Sequence, residues 1–191
     1  MHKPKKRQAI LTVATELLGR SRGVSFTLDE LAAAVPCAKG LIHYHFRGKD
    51  RLLVEVIRAA AESRRVRWTE ALSRADPEQA IRSTWELVVG EVGTGVELAL
   101  ANLLGSADRQ VDEALTSATQ GFADALRLGT LGMLERTGLR PTIPMDQISW
   151  LLASVIRGTI WHLHAGAPDS TVQESYAVGW LGVLSLTEPI R

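Results

Sequence analysis

Apolar residues recur at helical spacing from the beginning of the chain. Between residues 10 and 18 they follow i, i+3, i+4, i+7 and i+8, which predicts one face of an amphipathic helix: Ile10, Val13, Ala14, Leu17 and Leu18. Thr27 followed by Glu30 has the spacing of a capping box, so a second helix is expected to begin there. Shorter apolar stripes predict helices at 27–34 and 38–45, and a longer one at 49–74.

The pattern stays helical in the rest of the chain. Glycines and prolines punctuate five further predicted helices, at about 77–92, 96–105, 109–137, 145–165 and 170–186. No alternating apolar–polar run of strand length occurs, so the predicted fold class is all-α. The last two helices are apolar on nearly every side, which is typical of a helix at the centre of a core or shared with a partner.

Charge is divided unevenly along the 191 residues. The formal net charge is only +1, but residues 1–74 have a balance of +8 and residues 75–191 a balance of −7. Such asymmetry indicates a basic module for a polyanion and an acidic module with another task. The single cysteine, Cys37, excludes an intrachain disulfide.

Several other classes of protein fit poorly. The longest apolar stretch, 148–165, contains Arg157, so we expect no membrane segment and a cytoplasmic protein with reduced Cys37. The sequence has no phosphate-binding loop, dinucleotide fingerprint or Cys/His cluster, so we predict no cofactor and no metal. The G-x-S-x-G pattern at 19–23 follows a helix rather than a strand, and no acid–base set accompanies it, which argues against an enzyme.

The helices at 27–34 and 38–45 have the spacing of a helix-turn-helix. Leu41, Ile42 and Phe46 are expected to face a small core. The opposite side of the second helix carries cations, an aromatic ring and a glycine: Lys39, Gly40, His43, Tyr44 and Arg47. Such side chains suit phosphate oxygens and base edges. Thr27 and Lys49 stand at helix N-termini, where backbone N–H groups favour phosphate.

Three segments, 26–32, 38–46 and 49–53, resemble the TetR family of transcriptional regulators in order and spacing. The resemblance covers about residues 8–55. It implies a homodimer that binds an inverted-repeat operator in double-stranded DNA, usually as a repressor, and that a small-molecule effector releases. It also implies that Lys39, Gly40 and Tyr44 face DNA, while His43, Lys49 and Thr27 hold the backbone.

Two residues depart from the family pattern in the turn. Pro36 stands where the family usually has glycine, and proline cannot adopt a positive φ, so the recognition helix could be tilted differently. Cys37 replaces a small apolar residue, and its position at a helix N-terminus leaves open a redox role beside the commoner role of a small buried residue. We predict domains at 1–48 (helix-turn-helix) and 49–191 (effector binding and dimerisation).

The second module has large aromatic residues beside many small ones, which leaves room for an apolar cavity. Trp85, Phe122 and Trp161 are the candidates for effector binding, although aromatic residues at helical spacing are usually core. Three charges within apolar stretches could orient a polar end of a ligand or be satisfied internally: Glu91, Glu97 and Arg157. The last two helices are expected to form the dimer through Leu151, Val155, Ile156, Val178, Leu181 and Val183.

An alternative function remains open at the level of sequence. The chain could be a ligand-independent DNA-binding or architectural protein whose second module only dimerises. Its cavity would then be filled by side chains, and no small molecule would change its affinity for DNA.

Overall fold

The computed structural model describes residues 3–21, 26–35, 37, 39–73 and 76–190. Helices account for most of this part of the chain, which confirms the predicted fold class. The helices are α1 (Lys3–Arg20), α2 (Leu28–Ala34), α3 (Lys39–Phe46), α4 (Lys49–Ser73), α5 (Pro77–Thr94), α6 (Val96–Asn102), α7 (Arg109–Arg136), α8 (Met145–His164) and α9 (Asp169–Leu184).

Two short strands were not predicted from the sequence. Strand β1 (Leu139–Pro141) pairs antiparallel with β2 (Thr187–Pro189), with Leu139 opposite Pro189. An ion pair between Arg140 and Glu188, 2.6 Å from Nη2 to Oε1, lies across the pair. Three residues are too few to show the alternation by which a strand is recognised in sequence.

The chain divides by packing into two compact units. Unit 1 consists of residues 1–62 and 94–118, and unit 2 of residues 63–93 and 119–191. Helices α4 and α7 therefore contribute residues to both units. The boundary predicted after residue 48 separates the modules by their proposed tasks and stays a prediction.

The core of unit 1 joins the first four helices to α6 and the start of α7. Its fully buried side chains include Ile10, Leu18, Leu31, Ile42, Leu52 and Ile57. Close contact between α1 and the junction of α5 with α6 depends on glycine, since a Cβ on Gly19 would lie 2.2 Å from the carbonyl oxygen of Thr94. Gly19, the first residue of the G-x-S-x-G pattern, therefore has a packing role.

Unit 2 has a core of its own, rich in aromatic residues. Its largest fully buried side chains are Trp68, Tyr176, Trp180, Leu72, Leu126 and Met133. A Cβ on Gly129 would lie 2.7 Å from the Cβ of Leu72, so α7 approaches the end of α4 closely at this glycine. Arg136 secures the same place by donating a hydrogen bond from Nη2 to the Leu72 carbonyl oxygen at 3.0 Å.

No helix in the described part of the chain combines the length and the apolar character that crossing a membrane requires.

Candidate nucleic-acid interface

The start of α2 is fixed by the predicted capping box. Thr27 Oγ1 accepts a hydrogen bond from the Glu30 backbone N–H at 3.1 Å, and the Glu30 carboxylate accepts from the Thr27 backbone N–H at 2.6 Å. The hydrogen bonds from the Thr27 backbone and hydroxyl hold the pKa of Glu30 below its usual value. Two N–H groups at this helix end are thus satisfied before any partner binds.

Helix α3 has one buried and one exposed face, as its sequence predicts. Ile42 and Phe46 are buried in the core of unit 1, and Leu41 is half-buried. The other face is exposed and consists of Lys39, Gly40, His43, Tyr44 and Arg47, which we call the outer face of α3. Tyr44 is 64% exposed, although a tyrosine ring of this size usually finds cover in a folded chain.

Lys39 is held in place by a weak ion pair. Its Nζ lies 2.8 Å from the Asp29 carboxylate of α2, and the two side chains are 48% and 73% exposed. Because an ion pair in water contributes at most about 1 kcal/mol, a phosphate or a base edge can replace Asp29 at little cost.

Packing within unit 1 does not explain Gly40. A Cβ built at this position meets no atom within 4 Å, and its φ is not in the left-handed region. Glycine inside a helix costs about 0.5–1 kcal/mol relative to alanine. Contacts within the described part of unit 1 therefore give no reason for glycine at this position.

The junction between α3 and α4 presents a further cation. Arg47 has a φ of 58° and Gly48 a φ of 144°, which turns the chain sharply before α4 begins at Lys49. The Lys49 ammonium lies 5.8 Å from the centre of the Phe26 ring. His45 is half-buried and packs edge-on against the rings of Tyr44 and Phe46.

The two unusual turn residues have different outcomes. Pro36 lies outside the described residues, so the predicted change in the tilt of α3 stays a prediction. Cys37 is half-buried and packs against the core of unit 1.

Only two of the three predicted effector-binding residues lie in one cluster. Trp85 and Phe122 both belong to the core of unit 2, where Phe122 packs edge-on against Trp68 with ring centroids 5.4 Å apart. Trp85 packs against Tyr176 at 5.6 Å. Trp161 is not part of that core and is 58% exposed. Burial raises the pKa of Tyr176 to about 12.

A buried polar cluster in unit 2 accounts for Glu91. Its carboxylate lies 2.8 Å from Arg64 Nη2, accepts from Arg64 Nε at 2.9 Å and accepts from Trp68 Nε1 at 2.7 Å. The Arg64 guanidinium also lies 3.5 Å from the centre of the Phe122 ring. Arg64 and Trp68 were not predicted from the sequence, although their i, i+4 spacing places both on one face of α4.

Helices α8 and α9 share an exposed apolar face. Its large side chains are Trp150, Leu151, Trp161, Val178 and Leu181, and we call this set the α8–α9 face. Ile156 and Val183 were predicted to belong to it, but both are fully buried in the core of unit 2. That prediction was wrong because the two helices are apolar all round, so that their sequence alone does not distinguish the inner side from the outer.

No group of three or more His, Cys, Asp or Glu side chains in the described ranges is arranged to hold a metal ion.

A helix-turn-helix whose second helix exposes cations, an aromatic ring and a bare glycine is the arrangement of a DNA-binding regulator. Residues 10–56 match the family model described as bacterial regulatory proteins, tetR family. This match supports a transcriptional regulator of the TetR family. No curated protein sequence matches the chain.

Solved structures share the fold over nearly the whole chain. E.coli NemR in its reduced form has a TM-score of 0.78 at 15% identity, covering 96% of this chain and 98% of NemR. A putative transcriptional regulator from Rhodococcus sp. RHA1 has a TM-score of 0.75 at 24% identity, covering 97% and 98%. A TetR family transcriptional regulator from Agrobacterium tumefaciens has a TM-score of 0.77 at 16% identity, covering 98% and 100%.

Proposed function

We propose that the protein is a repressor that binds a palindromic operator as a homodimer and is released by a small, largely apolar effector. The observation that carries this proposal is the outer face of α3, where Gly40 meets open space between exposed Lys39, His43 and Tyr44. Its partner is chromosomal DNA, which places the protein in the cytoplasm and requires no catalysis from it.

Each residue of the interface has a proposed task. Lys39, Gly40 and Tyr44 enter the major groove, where Lys39 exchanges Asp29 for a base edge or phosphate and Gly40 permits close approach. His43, Lys49 and Thr27 hold the sugar–phosphate backbone. Since the Thr27 hydroxyl is already bonded to Glu30, its contribution is to fix the start of α2 against the phosphates.

The α8–α9 face supports the homodimer. Large apolar side chains are costly to leave in water, and a second copy of the same face would cover them about a two-fold axis. Gly158 and Gly182 have no atom within 4 Å of an added Cβ, which leaves room for a partner helix. Two copies of α3, about 34–36 Å apart, would then read both halves of a palindrome.

The effector is proposed to bind in unit 2 beside Trp85 and Phe122. Aromatic rings provide the apolar lining, and the nearby buried Arg64–Glu91 pair can orient a polar group. Trp161 remains a candidate, but its exposure gives it a second possible role in the α8–α9 face. The effector must bind the DNA-bound and DNA-free states with different affinity, because otherwise it cannot shift the balance between them.

Selection from a random pool of duplex DNA by the purified protein at about physiological salt tests the DNA-binding part. We expect one inverted repeat whose half-sites are about one helical turn apart. Recovery of no preferred sequence from a folded dimer would contradict the proposal and favour the architectural alternative.

The effector part needs a separate test with the selected duplex. Apolar small molecules are screened for release of the labelled operator, and each hit is titrated with and without operator. We expect weaker binding to the operator complex. Equal affinity in both titrations, or no compound that releases DNA, would contradict effector control.

A further inference from the structure

A groove of about 550 Å³ lies within unit 1, away from the proposed effector site. It runs between α4 and the first turns of α7, with the start of α1 and the end of α3 alongside. Five arginines and two glutamates line it, so its formal charge is +3 with His45 neutral.

The excess charge belongs to three of these arginines. Arg7 is paired with Glu55 at 2.8 Å, and Arg109 lies 3.5 Å from Glu113. The remaining three form no ion pair or side-chain hydrogen bond with any described residue: Arg47, Arg51 and Arg58. Residues 51 and 58 are two helical turns apart on one side of α4, and residue 47 lies in the turn before this helix. All three line the groove.

Arg47 has a backbone conformation that residues other than glycine rarely adopt. Its φ is 58°, and among the described residues other than glycine it alone has a positive φ. Glycine or asparagine would adopt this conformation with less strain. Strained backbone of this kind is concentrated at ligand-binding and active sites, and Arg47 lines the groove.

Apart from Arg47, which also belongs to the outer face of α3, the arginines of the groove are separate from the residues proposed to hold the DNA backbone. On α4, Arg51 and Arg58 lie about 200° and 180° around the helix axis from Lys49. The outer face of α3 can enter a groove of the duplex, whereas a hollow of 550 Å³ has the size of a pocket for a small molecule.

We propose that this groove is a second ligand site, which binds a small molecule bearing at least two phosphate groups. Guanidinium groups bind phosphate oxygens through paired, charge-assisted hydrogen bonds, and Arg51 and Arg58 offer two such groups about 10 Å apart along the helix. Arg47 also ends the outer face of α3, so an occupied groove changes the charge that α3 presents to DNA. This site goes beyond the proposed effector site in unit 2.

The first test measures binding of inorganic pyrophosphate to the full-length protein without DNA, by calorimetry at constant ionic strength. The double variant Arg51→Gln/Arg58→Gln is compared with Arg20→Gln/Arg82→Gln, which removes the same charge from exposed helical positions outside the groove. We expect saturable binding by the wild type, weakening of about tenfold or more in the groove variant, and less than about twofold in the control. Thermal melting confirms that both variants fold.

Equal weakening in the two variants, or no saturable binding by the wild type, would overturn the proposal. A second test measures how operator affinity depends on salt. We expect the logarithm of the binding constant to fall with the logarithm of the salt concentration at the same slope in the groove variant and in the wild type. A slope reduced by about 0.9 for each arginine, without pyrophosphate binding, would assign the groove to the DNA backbone instead. The first test contains no DNA, so it can contradict the proposed groove site while the proposed repressor function stands. Failure to select an operator would likewise leave the groove proposal standing.

Discussion

The outer face of α3 and the buried cluster around Glu91 use similar chemical groups in opposite ways. On α3, Lys39 and Tyr44 are exposed, and the one ion pair there is open to water. In unit 2, the Glu91 carboxylate is 4% exposed and receives hydrogen bonds from Arg64 and Trp68. The groups on α3 are accessible to a partner molecule. The groups around Glu91 are buried and form their hydrogen bonds with one another.

This difference separates the groups on α3 that are proposed to bind DNA from the buried groups that stabilise unit 2. A solvated ion pair costs little to break, so the groups on α3 can exchange it for DNA. A buried charge that loses its partner costs several kcal/mol, because it keeps the desolvation penalty without the compensating contact. Substitutions on α3 should therefore change the affinity for DNA, and substitutions in the buried cluster should change the free energy of unfolding.

The largest effect on stability is expected from Glu91→Ala. Removing the carboxylate leaves the Arg64 guanidinium buried and Trp68 Nε1 without its acceptor, so the free energy of unfolding should fall by about 3–5 kcal/mol. Urea denaturation at one fixed protein concentration measures it. Glu78→Ala, which breaks an exposed i, i+4 pair with Arg82, is the control and should cost about 0.5 kcal/mol or less. Similar losses of unfolding free energy in both variants would show that the buried cluster stabilises the protein no more than an exposed ion pair does.

The next largest effect is expected in DNA binding. Lys39→Ala should weaken binding to the selected duplex about 5- to 150-fold, corresponding to roughly 1–3 kcal/mol, with little change in stability. Asp29→Asn removes the partner of Lys39 but keeps the lysine, so its DNA affinity should equal or exceed that of the wild type. Fluorescence anisotropy measures both. If Asp29→Asn weakens binding as much as Lys39→Ala, the ion pair positions α3 and Lys39 does not contact DNA.

A smaller effect is expected at the capping box. Thr27→Ala should lower the free energy of unfolding by about 1 kcal/mol, because the Glu30 N–H in the first turn of α2 loses its acceptor. Since the pKa of Glu30 is lowered in the folded state, its contribution is present above about pH 4.5 and is lost as the pH falls below that value. Glu30→Gln should therefore flatten the acid side of the stability profile. A profile unchanged from the wild type would contradict this role of Glu30.

Most helices could be predicted because their signals are local. The capping box at Thr27, the apolar stripes and the Gly and Pro punctuation depend on neighbours in sequence, and the predicted helices agree with the structure to within a few residues. The exposed side of α3 could also be predicted, because Ile42 and Phe46, four positions apart, both face the core.

The features that were missed depend on distant contacts. Strands β1 and β2 pair segments almost fifty residues apart, and Glu91 meets Arg64 from the next helix. The inner side of α8 could not be read from an all-round apolar sequence, which is why Ile156 was misplaced. Exposure of Trp161 is likewise a result of packing and not of residue type.

The central claim, that the outer face of α3 contacts DNA closely, is tested most directly by Gly40→Ala. Because an added Cβ meets no atom within 4 Å, the substitution should raise the free energy of unfolding by up to about 1 kcal/mol. Gly121→Ala is the matched control, since its added Cβ on α7 also meets nothing within 4 Å. We predict that both variants keep or gain stability, and that only Gly40→Ala loses affinity for the selected duplex, by about tenfold or more. Undiminished DNA affinity in a stable Gly40→Ala protein would contradict the account.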